Sequence, residues 1–194
     1  MKNIICIRHG RAYHNKLSDK IGDRAYFLKE SFDAPLLEEG LNQAKELGKK
    51  SKKLKNVDIV FVSTLTRTLQ TAVNIFENNK KVKIIALDEI KEYPQGLELC
   101  NKRRRKNELK EEFKEVDFSK LDSDSDNLWR KDRFERIEEL RERINKFKKI
   151  LMTTNYQNIA IVSHNNFLKE LLFKNCGDES YDLDHCSPYK LDLF

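Results

Sequence analysis

At 194 residues, 39% hydrophobic and 36% charged, the chain has the length for one domain with a substantial core and a heavily solvated surface. Its 38 basic and 32 acidic residues leave a formal charge of +6, which favours anionic partners without singling out nucleic acid over phosphorylated small molecules or acidic proteins. Cys6, Cys100, Cys176 and Cys186 never approach C-x-x-C spacing, there is no long apolar leader, and no apolar run nears membrane-spanning length. A disulfide framework, a thiolate metal centre and a membrane protein are therefore set aside, and the expectation is a soluble cytoplasmic protein with reduced thiols.

The first element is Ile4-Ile5-Cys6-Ile7, an apolar run that predicts a strand buried on both faces. It stops at Arg8-His9-Gly10, followed by Arg11, His14 and Asn15; the glycine is expected to let the backbone turn. Leu17 to Asp33 has no clear period and predicts an irregular or weakly helical wall of the site. After Pro35, the approximate three-to-four spacing of Leu37, Leu41, Ala44, Leu47 and Leu54 predicts an amphipathic helix. Its outer face of Lys45, Lys49, Lys50, Lys52 and Lys53 reads as solvated surface rather than a nucleic-acid contact.

Val57 to Val62 is the second predicted strand, ending at Ser63. Leu65, Leu69, Ala72, Val73 and Phe76 then carry a helical period that places Arg67 at a helix start, where free amides and the helix dipole favour an anion. Val82 to Leu87 predicts a third strand followed by Asp88, Glu89 and Glu92. Residues from about 88 to 130 are the least regular stretch. They contain the basic run Lys102 to Lys106 and the acidic run Asp122 to Asp126, and read as an insertion folded against the sheet, with too few apolar residues for a core of its own. Phe134, Ile137, Leu140, Ile144, Phe147 and Leu151 form the longest helical stripe. Ile159 to Val162 is a fourth strand ending at Ser163-His164-Asn165, Phe167 to Leu172 is helical, and Leu191 to Phe194 closes with a terminal strand.

Buried strands thus run directly into Arg8-His9, Ser63 with Arg67, Glu89/Glu92, and His164. In a mostly parallel sheet, strand ends of like direction converge on one edge, so two histidines, two arginines and a carboxylate would share one cleft. These groups suit phosphoryl transfer. A neutral imidazole is a competent nucleophile when its other nitrogen is held by an acceptor. The charge spread over the transferring oxygens is best clamped by planar guanidinium groups. A carboxylic acid of raised pKa can protonate the leaving oxygen and then activate water. The pattern calls for no metal and no cofactor.

Arg8-His9-Gly10, Ser63-Thr-Leu-Thr-Arg67-Thr-Leu-Gln-Thr-Ala72 and Val162-Ser163-His164 together resemble the histidine phosphatase (phosphoglycerate mutase-like) superfamily. His14-Asn15, Asp33-Ala-Pro-Leu-Leu-Glu-Glu-Gly40, Cys100-Asn-Lys-Arg-Arg104, Val116-Asp-Phe-Ser119 and Leu128-Trp129 resemble a plant and fungal subgroup of it. The resemblance covers most of the chain and implies a single α/β domain, a three-layer α/β/α sandwich around a mostly parallel sheet. It makes His9 the phosphorylated nucleophile, with Arg8, Arg67 and His164 in the phosphate pocket and Asn15 on phosphate or substrate. Glu92 is the general acid, because Glu92-Tyr-Pro-Gln-Gly96 keeps the glutamate-to-glycine spacing, with Glu89 as runner-up. Gly10, Ser63 and Asn165 are expected to line the substrate site. Thr64 stands where many relatives have proline, Asn165-Asn166 where small residues are usual, and Asn101 where the subgroup has aspartate.

Arg103 and Arg104 are assigned to the far end of the substrate, as contacts to a second phosphate; a solvated basic turn paired with Glu108, Glu111 and Glu112 is the alternative, and a nuclear-import signal a weaker one. His14 is expected to line the mouth and His185 to be exposed. The function implied is hydrolysis of phosphomonoesters through a phosphohistidine, on a small-molecule or phosphoprotein substrate. Its rivals are a phosphoglycerate mutase and a non-catalytic sensor of phosphorylated ligands.

Overall fold

Four of the six strands carry the functional residues to one edge of a single sheet, and their burial explains why. In a computed structural model, which describes residues 2–192, strands β1 (Asn3–Arg8), β2 (Ile59–Ser63), β3 (Lys83–Leu87), β4 (Val116–Asp117), β5 (Asn158–Ser163) and β6 (Pro188–Leu191) pair in the order β4-β3-β2-β5-β1-β6. All neighbours are parallel except the edge strand β6, which runs antiparallel to β1. Leu191 ends β6, and Leu193 and Phe194 lie outside the described residues.

Period-two alternation sends successive strand residues to opposite faces. Ile5 and Ile7 of β1, Val60 and Val62 of β2 and Ala160 and Val162 of β5 face one core, with Ala44 of α2 (Glu38–Lys50) and Leu69, Ala72 and Ile75 of α3 (Thr66–Ile75). Ile4, Cys6, Ile59, Phe61, Ile159 and Ile161 face the other. There they meet Leu140, Phe147 and Leu151 of α5 (Ile137–Thr153) and Phe167, Leu168 and Leu171 of α6 (Asn165–Phe173). The result is the expected three-layer sandwich. Each fully buried Ile, Leu or Phe contributes roughly 1.5–3 kcal/mol through lost water contact, so both layers are strongly held to the sheet.

The stretch from Leu17 to Asp33, read as irregular or weakly helical, takes the helical option: it holds the end of the helix α1 (Tyr13–Ile21), followed by two short 3-10 turns. The 88–130 stretch is not merely laid on the sheet. After α4 (Lys106–Glu112) it supplies β4, which pairs with Ile84 and Ile85 of β3, while Leu109, Phe113, Phe118 and Leu121 complete the first core. A two-residue strand is too short to leave a periodic signal.

Candidate active site

The parallel register of β1 and β5 sets Arg8 opposite Ser163, and the His9 amide continues the ladder by donating to the Ser163 carbonyl at 3.0 Å. His9 and His164 are thereby placed side by side, with ring centroids 5.2 Å apart in an edge-on arrangement. β2 ends next to β5, so the Ser63 hydroxyl reaches His164 Nε2 at 2.7 Å. Arg67, in the first turn of α3, is fully buried beneath them, and its Nε donates to His9 Nε2 at 3.3 Å. Its two terminal nitrogens donate to the Cys100 carbonyl at 2.6 Å and Asn101 Oδ1 at 2.9 Å. All three acceptors are uncharged, so the guanidinium meets the site with its charge unpaired by a carboxylate. Asn101 thus has a definite task in the turn where the subgroup carries aspartate.

The same network fixes the tautomer of His9. Its Nδ1 lies 2.7 Å from the Gly10 carbonyl, an acceptor only, so Nδ1 carries the proton and Nε2 presents a lone pair. Burial, reinforced by Arg67, pushes His9 well below the ordinary imidazole value, so the ring is neutral at pH 7. His164 is pushed down in the same way, by burial and then Arg67, and its Nδ1 is buried without a partner among the described residues. Arg8 donates through Nη1 to the Leu183 carbonyl at 2.6 Å and to Asp182 at 3.2 Å, leaving its buried Nε unpartnered.

Glu92 lines the same cleft. Its Oε1 accepts from the Tyr93 amide at 2.8 Å and from the Phe167 amide at 3.1 Å, in the first turn of α6. These bonds favour the carboxylate, but burial outweighs them and raises the pKa above the usual carboxylate range. The loop is held from behind by α5: Arg143 donates to the carbonyls of Glu89 and Lys91 at 2.7 and 3.1 Å, and to that of Glu92 at 3.4 Å. Arg143 in turn pairs with Glu135, buried, at 2.6 Å. At the end of the loop Gly96 has φ +95°, and a Cβ there would lie 2.1 Å from the Arg133 carbonyl, which accounts for the glutamate-to-glycine spacing. Glu89 faces another depression, beside Asp88 and Lys120, so of the two acids only Glu92 lines this cleft.

Arg8, His9, Arg67, Glu92, Asn15 and Asn165 all line one cleft of about 360 Å³. Asn15 also caps α1, its Oδ1 accepting from the Ala12 amide at 3.0 Å. Asn165 bridges to the C-terminal loop, bonding Asp182 at 2.8 Å and the Leu183 amide at 2.9 Å, and Asn166 donates to the Tyr93 carbonyl at 3.0 Å. The two asparagines therefore pin the loops on either side. Thr64 donates to Asp88 at 2.6 Å.

Five expectations are corrected. Ser63 does not line the cleft: it is fully buried, with its hydroxyl on His164. Gly10 does not have a positive φ; it is needed because a Cβ would lie 2.5 Å from the Gly40 carbonyl at the start of α2. Its amide donates to Thr71 Oγ1 at 3.1 Å rather than into the cleft. Arg103 is 2% exposed, spent on Asp88 and on the carbonyls of Ser123, Asp124 and Ser125. Arg104 holds Asp33 at 3.2 Å and Thr66 at 2.9 Å, bracing the first turn of α3 that carries Arg67. Neither arginine lines the cleft; Arg103 is not solvated, while Arg104, part-buried, also pairs with Glu112 at 2.8 Å, as the basic-turn alternative expected. His185 is not exposed: its Nδ1 meets the His9 carbonyl at 2.7 Å, its ring lies 5.5 Å from that of His9, and burial lowers it to about 4.

Glu98 was not anticipated as a site residue. It lines the cleft, and burial, with the nearby Glu92, pushes its carboxyl up to about 7. A carboxylate two residues past a glycine turn gives no sequence signal of its own. His14, buried with its ring 5.8 Å from that of His9, lines the cleft as expected. Among the described residues no group of three or more His, Cys, Asp or Glu side chains is placed to hold a metal ion, and no helix is long and apolar enough to cross a membrane.

Comparison with known proteins agrees with this arrangement. The chain is 33% identical over 196 residues to phosphoglycerate mutase-like protein 1 of Arabidopsis thaliana, covering 86% of this chain and 69% of that protein. A second phosphoglycerate mutase-like protein of the same plant is 30% identical over 222 residues, covering 99% and 79%. Among solved structures, the alpha-ribazole phosphatase of Shigella flexneri superposes with a TM-score of 0.66 at 22% identity, covering 99% of this chain and 91% of that one. With residues 4–188 also matching the family model for the histidine phosphatase superfamily, branch 1, the chain belongs to that superfamily.

Proposed function

We propose that the chain hydrolyses phosphomonoesters through a phosphohistidine formed on His9, without a metal ion. The observation that carries this reading is the His9 imidazole itself: Nδ1 tied to the Gly10 carbonyl at 2.7 Å, Nε2 beside Arg67, and the ring kept neutral by burial. Nε2 attacks phosphorus and the bond from phosphorus to the ester oxygen breaks. Arg8, Arg67 and His164 take up the charge on the equatorial oxygens. The proton that the leaving alkoxide needs comes from Glu92, whose raised pKa keeps it available. In the second half-reaction the Glu92 carboxylate takes a proton from water, the water oxygen bonds to phosphorus, and the N–P bond breaks. Inorganic phosphate leaves, His9 returns to the neutral state and Glu92 is reprotonated.

The acceptor decides between hydrolase and mutase. Water as acceptor is supported by the absence of a free cation at the outer end of the cleft among the described residues. There Lys169 is spent on the Asp178 and Tyr181 carbonyls, and Arg103 and Arg104 are bound elsewhere. Phosphate release from p-nitrophenyl phosphate, retained in the presence of a chelator, with acid-labile, alkali-stable phosphate on His9 during turnover, is the expected result. Interconversion of phosphoglycerates faster than phosphate release, stimulated by bisphosphoglycerate, would replace the hydrolase with a mutase. Binding of phosphate esters with no turnover of any would leave only the sensor.

A further inference from the structure

The cleft is divided by charge along its length. At the inner end the groups that face a phosphoryl group are Arg8, Arg67 and neutral histidines. The more exposed lining holds Asp23, Glu179 and Asp182, with Glu98 half-buried. Asp182 is engaged by Arg8. Among the described residues Asp23, Glu98 and Glu179 have no basic nitrogen within 4.0 Å of their carboxylates, and Asp23 lies close enough to Glu98 to add to the raising of its carboxyl by burial and Glu92. The cations nearby are occupied. Lys169 donates to two backbone carbonyls, and Lys102 lies over the Trp129 ring at 4.3 Å, outside the lining of the cleft. Two buried polar atoms in the same cleft, His14 Nδ1 and Arg8 Nε, stand without a partner among the described residues. They mark it as built for a polar ligand and not as a fold in the surface.

We propose that this outer end selects the alcohol part of the substrate by charge: it takes phosphomonoesters whose alcohol carries a protonated amine, directed at Asp23 and Glu98, and rejects those carrying a carboxylate or second phosphate. The inference rests on the phosphoryl group sitting at His9, which sets which end of the substrate meets these carboxylates. Glu98 is well placed for the role. Its Oε2 accepts from Asn101 Nδ2 at 2.7 Å, which fixes the side chain through a residue that also holds Arg67. The other oxygen is left for a ligand. An ammonium entering here forms a charge-assisted hydrogen bond, whereas a carboxylate meets like charge with no compensating donor. The discrimination comes from repulsion as much as attraction.

The test compares three small monoesters on the native protein at about pH 8, above the value of about 7 to which Glu98 is raised: phosphoethanolamine, glycerol 3-phosphate and 3-phosphoglycerate, each scaled to p-nitrophenyl phosphate. The expected kcat/KM falls in that order, with phosphoethanolamine on the order of tenfold or more above 3-phosphoglycerate at low salt, and the gap narrows as ionic strength rises. In the double variant Asp23→Asn, Glu98→Gln the ratio collapses to within about threefold; glutamine keeps the acceptor for Asn101. A flat or reversed order overturns the proposal, as does a ratio that the double variant leaves unchanged. Should the native protein hydrolyse neither these three esters nor p-nitrophenyl phosphate, the hydrolase reading fails by itself. Charge selection is then decided by the calorimetric Kd of phosphoethanolamine against 3-phosphoglycerate on the same protein, with equal affinities or no binding of either counting against it.

Discussion

The two ends of the cleft are built by different means. At the inner end His9, Ser63, Arg67 and His164 are at most 2% exposed. They sit at strand ends or in the helix turn that follows, where the sheet register fixes them. At the outer end Asp23 and Glu179 are exposed, on a 3-10 turn and the C-terminal loop, and Glu98 follows an irregular turn. On the proposed reaction, the difference teaches that the chemistry would be set by elements whose displacement costs core packing, and selection of the alcohol by connections that can change at little cost to stability.

The comparison can be broken most severely at its centre. His9→Ala is expected to reduce kcat by on the order of 10⁴ or more, since the residue acts as one unit with its partners, while circular dichroism and Tm stay near those of the native protein. Removing half of a buried ion pair comes next. Lys91 and Asp126 lie 2.5 Å apart with side chains 0% and 1% exposed. Asp126→Ala is expected to destabilise by about 3–5 kcal/mol in urea unfolding, because it strands the Lys91 charge. A loss within ~0.5 kcal/mol would show that the insertion is not integral to the fold.

Glu92→Gln sharpens the contrast between acid and clamp. It should lower kcat by about 10²–10⁴ for alkyl phosphates but far less for p-nitrophenyl phosphate, whose leaving phenolate needs little help. The sign of the pH dependence follows from the two shifts. His9 must be neutral, and its lowered pKa moves the acid limb of kcat/KM to lower pH. Glu92 must be protonated, and its raised pKa moves the alkaline limb to higher pH. The optimum is therefore on the acid side, and Glu92→Gln removes the alkaline limb. An unchanged limb would assign the proton to another group. Arg67→Lys keeps the charge but loses the three-way fork, and should cost about 10²–10³ in kcat. The smallest effect is expected at Arg104→Lys: KM ratios between mono- and bisphosphorylated substrates within about twofold, with a stability loss of roughly 1 kcal/mol from the weakened Asp33 contact. A selective rise in KM for the bisphosphorylated compounds would return Arg104 to the site.

Much of the inner end was legible in the sequence, because a buried parallel strand leaves an uninterrupted apolar run and whatever follows it lands on the functional edge. Arg8-His9, Ser63 and His164 could be located in this way, and Arg67 from its place at a helix start. The outer end could not. Glu98 is placed by a turn in which Gly96 and Leu97 both have positive φ, and His185 is folded over His9 by a loop whose path depends on tertiary contacts. Arg103 and Arg104 look like a surface run in one dimension. Only the folded chain shows that their hydrogen bonds close the insertion and brace α3. Gly10 was read for its backbone freedom, whereas the reason it is glycine lies 30 residues away, in the approach of Gly40.

The side-by-side seating of β1 and β5 has a consequence for how such a protein can diverge. More than 150 residues separate the two imidazoles along the chain, yet six paired positions of β1 and β5 bring them side by side, with Ser63 and Arg67 each holding one ring. Segments connecting the sheet can therefore lengthen, shorten or exchange residues through descent while the two imidazoles stay in step, which, on the proposed reaction, leaves one chemistry free to be offered to many different esters.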